Sequence, residues 1–252
     1  MVNKIKVEFS DLLNNWIGLA LDLRTSCLSL LSENPVNTER SLDESVELFA
    51  TLIFCRTITN FKGAIILFQN GLIVEAQTLQ RSCFENSLWL RRLAHEGNDF
   101  AKSISDDGLC NETSFAKLLM PTVSDESVAA ELREHIYVGS GRKRIDTKGP
   151  GGIDGAEEDY AEFRRLSMSA AHPSSTSLLR HVKMNVETES FEIFVEVPVD
   201  EREVVTNVFF TIAAMMHTLN SFTECVSTIN GEKIRNDMAA RIVALQEKSG
   251  IA

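Results

Sequence analysis

A chain of 252 residues, 44% hydrophobic and 24% charged, carries enough apolar content to bury a large core as one elongated domain or two. Its formal net charge of −11 disfavours non-specific nucleic-acid binding and docking on anionic lipid, while leaving room for a local basic patch. The five cysteines (Cys27, Cys55, Cys83, Cys110 and Cys225) are odd in number and widely spaced, so they read as free thiols of a reducing compartment, the cytoplasm, and not as a disulfide framework.

No charged-then-apolar leader opens the chain. No apolar run reaches the roughly 20 residues of a bilayer span. The best candidate, Val204 to Met216, is interrupted by Thr206 and Asn207, so no membrane association is expected. Helical spacing begins at Val7 and continues to Leu31, with Phe9, Leu12, Trp16, Ala20, Leu23, Cys27 and Leu30 on one broad face. Asn34-Pro35 ends it. Ser41-x-x-Glu44 has the form of a capping box and predicts a second helix from there to about Gln69. Asn70-Gly71 is a natural stop, and so short a connection predicts that the next helix packs antiparallel beside it.

That next helix, Leu72 to Ala94, is the centre of the pattern. It is apolar on most of its circumference, which implies a helix surrounded by others, yet it carries Glu75, Arg81 and Glu85. Arg81 and Glu85 are spaced i, i+4 among apolar neighbours, so the pair is expected to be partly buried. Burying an ion pair stabilises little, which invites a polar pocket between helices as its explanation, beside the plain readings of a surface pair or a structural tie.

From Gly97 to Pro121 the pattern weakens, predicting short helices around Phe100 and Phe115. Another helix is expected from Ser124 to about Tyr137. Residues 139–156, rich in glycine and basic at Arg142, Lys143 and Arg144, read as a mobile loop that could close over a site or simply be solvated. Glu157 to Ala171 resumes as helix, stopped by His172-Pro173. Val182 to Val197 switches to period 2, predicting a β-hairpin that turns near Thr188-Glu189 and packs its apolar face on the helices. Asp200-x-x-Glu203 starts a helix that continues to Asn230-Gly231, and a last amphipathic helix runs from about Glu232 to Glu247. The whole predicts a mainly α fold: one domain spanning 1–252, an irregular bundle of six to eight helices with one small hairpin.

Metal chemistry is not indicated. The five histidines never pair at i, i+4, there is no Cys-x-x-Cys or Glu-x-x-His, and no cofactor motif is present. No Gly-x-Ser-x-Gly elbow accompanies the serines near His172, and Met215-Met216-His217 reads as core packing. Arg165 and His172 stand seven positions apart, nearly two helical turns, and so share a face. A histidine can move a proton while a guanidinium holds a phosphate, which suits metal-independent RNA cleavage. This spacing resembles the Arg-x4-6-His signature of HEPN-type helical ribonucleases, although Leu166 stands where that family commonly has a polar residue. The resemblance implies RNA as substrate and a homodimer, with Arg165 and His172 catalytic.

A broader resemblance rests on two blocks. Glu75-Ala76, Leu79-x-Arg81-Ser82 and Phe84-Glu85 lie on the central helix, and Leu166-Ser167 with His172-Pro173 follow later. In these the chain is similar to the bacterial domain-of-unknown-function family 5677 over about residues 60–175. That resemblance implies a helical fold without an established activity, and suggests that Arg81, Glu85, Tyr160, Ser167 and His172 converge on one pocket. Two readings follow from the sequence. One is a bacterial ligand- or partner-binding module of a stress or defence system, with an unidentified small molecule or protein as its partner. The other is the ribonuclease.

Overall fold

The computed structural model describes residues 10–34, 45–145, 155–170, 174–195 and 197–250. Among them the chain forms a mainly α bundle with one two-stranded antiparallel hairpin. Eight longer helices and one single-turn helix follow in the order α1 (Asp11–Glu33), α2 (Val46–Gln69), α3 (Ile73–Glu96), α4 (Asn98–Leu119), α5 (Glu126–Val138), α6 (Glu157–Ser169), α7 (Ser175–Leu178), then β1 (Val182–Asn185), β2 (Ser190–Ile193), α8 (Glu201–Cys225) and α9 (Gly231–Ser249). The Ser41-x-x-Glu44 box, loop residues 146–154 and the His172-Pro173 corner lie outside the described residues.

Side chains that accept the first free amides set several starts. Ser10 caps Leu13, Ser45 caps Leu48, Asp125 caps Ser127 and Val128, and Asp200 caps Arg202. The second helix therefore begins one residue after Ser45. The α2–α3 connection is the expected tight one: Gly71 takes φ 74°, open to a residue without a Cβ, and the two helices run antiparallel along their length. Gly97 (φ 60°) serves both as the C-cap of α3 and the N-cap of α4, so a single residue turns the chain.

The weak stretch after Gly97 is not two short helices but one continuous 22-residue helix. Only Phe100, Ala101, Thr113 and Ala116 are buried along it, so its apolar stripe is too sparse to betray its length. It packs on α5, and Gly139 marks the contact. A Cβ there would fall 1.8 Å from the Thr113 hydroxyl and 2.5 Å from the Leu109 carbonyl oxygen. Gly139→Ala is expected to cost about 1–3 kcal/mol through this overlap, read as a lower urea midpoint with unchanged slope. At the chain's other end, the helix expected to reach Asn230 stops at Cys225, and α9 begins at Gly231.

The core is built by α2, α3 and α8, with α1 and α9 packed along one side and α6 against α3. Trp16, Phe54, Phe61, Phe68, Phe100 and Phe222 are all fully buried. Phe54 and Phe222 stack with ring centroids 4.2 Å apart, joining α2 to α8. Among the described residues, α2 is long and apolar enough to match a membrane span by length and composition, ahead of the Val204–Met216 run; here it lines the core. All five cysteines are free.

Candidate functional site

The buried side of α3 is where the apolar pattern breaks. Gln77, Gln80, Asn86 and Ser87 are buried on this helix together with Ala76, Cys83 and Phe84. Gln77, Gln80 and Ser87, with the half-buried Arg81 and Arg91, fall within about 120° of one another around α3 and form a seam that α6 and α8 close, while Asn86 stands on the opposite side of the helix.

At the near end, Gln77 Nε2 donates to Asn207 Oδ1 (3.1 Å) and Gln80 Nε2 donates to the Asn207 carbonyl (3.2 Å). Arg180 donates to Gln77 Oε1 (3.1 Å) and to the Glu203 carboxylate. In the middle, Arg81 Nε donates to Ser167 Oγ at 2.8 Å, and its Nη1 lies 3.4 Å from Glu85 Oε2. The Ser167 hydroxyl in turn donates to the Phe163 carbonyl (2.8 Å). The guanidinium rests 4.5 Å above the Phe163 ring, and Tyr160 stacks on the same ring at 6.2 Å.

The structure thus brings Arg81, Glu85, Tyr160 and Ser167 into one neighbourhood between α3 and α6. The stripe that α6 turns inward is Asp159, Phe163, Leu166 and Ser169. Tyr160 and Ser167 flank it, and Arg164 points to solvent. His172 falls outside the described residues. Arg165 is half exposed and gives Nε and Nη2 to Glu162, and this hydrogen bonding raises its pKa. That pairing occupies the edge a phosphate would need. Arg165 also lines an open cleft of about 430 Å³ with Arg202, Glu203, Thr206 and Asn207, between α6 and α8.

The far end of the seam holds a group that the sequence did not reveal. Asp159, only 2% exposed, receives the Ser87 hydroxyl at 2.9 Å and His217 Nδ1 at 2.7 Å, with Arg91 Nη2 3.9 Å away. Arg91 also donates to the Gly155 carbonyl. The carboxylate accepts from the Ser87 hydroxyl, with Arg91 beyond hydrogen-bond distance, and His217 Nδ1 donates to it in the tautomer that carries the proton there. The His217 side chain is 41% exposed, which leaves Nε2 as the ring nitrogen for an outside partner. Helix α6 supplies the acid from its first turn, α3 the serine and arginine, and α8 the histidine.

Of the basic loop, residues up to Ile145 are described and lie along α4: Arg142 pairs with Asp106 at 2.7 Å, and the Ile145 amide donates to Asp107 at 2.8 Å. The thiols offer no nucleophile in the core, since burial pushes Cys27 and Cys83 up to about 12. Among the described residues no three His, Cys, Asp or Glu side chains gather as metal ligands. Comparison of the chain with protein-family models, with curated proteins and with solved structures found no match.

Proposed function

We propose that this chain is a helical binding module whose recognition groups are the far end and the middle of the polar seam. The observation that supports this most is the Asp159–His217 pair. A carboxylate buried among three donors stabilises a fold less than apolar packing of the same volume would. What the arrangement supplies is an imidazole held in one tautomer, with its far nitrogen free to bind or exchange a proton. The middle of the seam offers Arg81, whose Nη2 has no partner among the described residues. A guanidinium steadied on two sides in this way is set for a planar anion such as a carboxylate or phosphate. The likeness to the bacterial domain-of-unknown-function family 5677 supports the same neighbourhood, and a bacterial stress or defence role in the cytoplasm is part of this proposal.

A panel of small carboxylates and phosphates tests it by thermal shift. A binder at one hundred times its Kd adds about 2.7 kcal/mol of stability, a clear rise in Tm. The rise should vanish in His217→Gln or in Arg81→Ala, and Arg81→Lys should not restore the latter, because an ammonium cannot replace a planar fork. No response across the panel, or an equal response in both variants, overturns the reading. The ribonuclease alternative has weaker support, because Glu162 already holds the Arg165 guanidinium. RNA incubated with wild type and His172→Ala decides it: cleavage lost in the variant would restore that reading.

A further inference from the structure

The pattern of the hairpin implies an apolar face packed on the helices, but both strands stand mostly exposed. Val182 pairs with Ile193, Lys183 with Glu192, Met184 with Phe191 and Asn185 with Ser190. The Phe194 amide donates to the His181 carbonyl at 2.8 Å, which makes Lys183–Glu192 a hydrogen-bonded pair. Val182–Ile193 and Met184–Phe191 are then the pairs whose side chains stand closest, on one shared face that continues to Val195. The other face carries Lys183, Glu192 and Phe194. At the base of the hairpin Val182, Lys183 and Phe194, which come from both faces, line with Arg180 and Glu203 a groove of about 380 Å³ against the start of α8. Along the ladder neither face is covered: Lys183 and Glu192 stand exposed on one side and the apolar side chains on the other. Phe191 is 70% exposed, Ile193 80% and Val195 95%, with Met184 and Val186 also exposed.

A two-stranded ribbon is marginal by itself, and a contiguous apolar patch of this kind marks an interaction surface. We infer that a second copy of this chain covers it, the two hairpins packing face to face about a two-fold axis. The exposed side chains of this face, Met184, Phe191, Ile193 and Val195, present on the order of 500–600 Å², at the small end of the roughly 600–1,000 Å² per partner in a standard interface. The face carries no charged side chain, so two chains of net charge −11 can meet there without opposing like charges. An apolar patch is also self-complementary, as an isologous interface requires, and two such faces pack about 10 Å apart. A basic or nucleic-acid partner would find nothing there to pair with.

Sedimentation velocity of the full chain over a concentration series tests this. The wild type should sediment at twice the chain mass. Phe191→Asp should raise the dimer Kd by about a hundredfold, the loss of one central anchor. Glu192→Gln, on the opposite face, should leave it unchanged. Both residues are exposed, so the helical circular-dichroism signal should not move; if Phe191→Asp lowers it, Val195→Asp, beyond the ladder, takes its place. A monomer at every concentration, a dimer indifferent to these substitutions, open-ended aggregates, or a monomer that instead binds neutral lipid vesicles would each overturn the inference.

Discussion

Asp159→Ala is expected to lower the unfolding free energy by about 3–5 kcal/mol, the usual cost of removing one partner from a buried charged cluster. The loss has three parts. The Ser87 hydroxyl is left without its acceptor in a buried position, the His217 Nδ1–H loses its partner, and Arg91 keeps only the Gly155 carbonyl. Asp159→Asn preserves shape and one acceptor oxygen, so it should cost markedly less. A double-mutant cycle of Asp159→Asn with His217→Gln should show coupling on the order of 1–3 kcal/mol, because the two side chains touch. Urea unfolding followed by circular dichroism measures all of these. Additive costs in the cycle would mean that the contact contributes nothing.

Phe54→Ala is expected to cost a similar 3–5 kcal/mol for a different reason. Its ring is fully buried and lies parallel to Phe222, 8° from coplanar. Truncation removes the stacked contact and leaves a cavity between α2 and α8, which the long helices on either side cannot collapse to fill. Phe54→Leu, which refills most of that volume, should recover more than half of the loss. A thermal or urea melt distinguishes the two substitutions. If Phe54→Ala cost below about 1 kcal/mol, the α2–α8 contact would not be the core of the bundle.

The helical architecture was legible because its signals are local. Asn70-Gly71 and the Asp200 cap fall where the chain turns, and the alternation of Val182 to Ile193 announces two strands. The grouping of Arg81, Glu85, Tyr160 and Ser167 was what the resemblance to the domain-of-unknown-function family implied; helical spacing places each only on a side of its own helix. The errors share one physical origin: periodicity says which residues lie together on a face, not what that face meets. It could not say that the helices would leave the hairpin's apolar side uncovered. Nor could it connect Asp159 with His217, 58 positions later on another helix. Asp159 sits among three acids that the helix dipole alone explains, and His217 follows two methionines that suggest packing. Long α4 was hidden because a helix touching the core at so few residues hardly needs a stripe.

Helix α6 is a short strut pinned at both ends. Asp159 fastens its first turn to α3 and α8, and Ser167, eight residues on and about 12 Å further along the axis, fastens its last turns to Arg81. Thirteen residues of hydrogen-bonded backbone neither stretch nor bend over that length. A shift of the rod at the imidazole is therefore expected to carry the serine with it beneath the guanidinium.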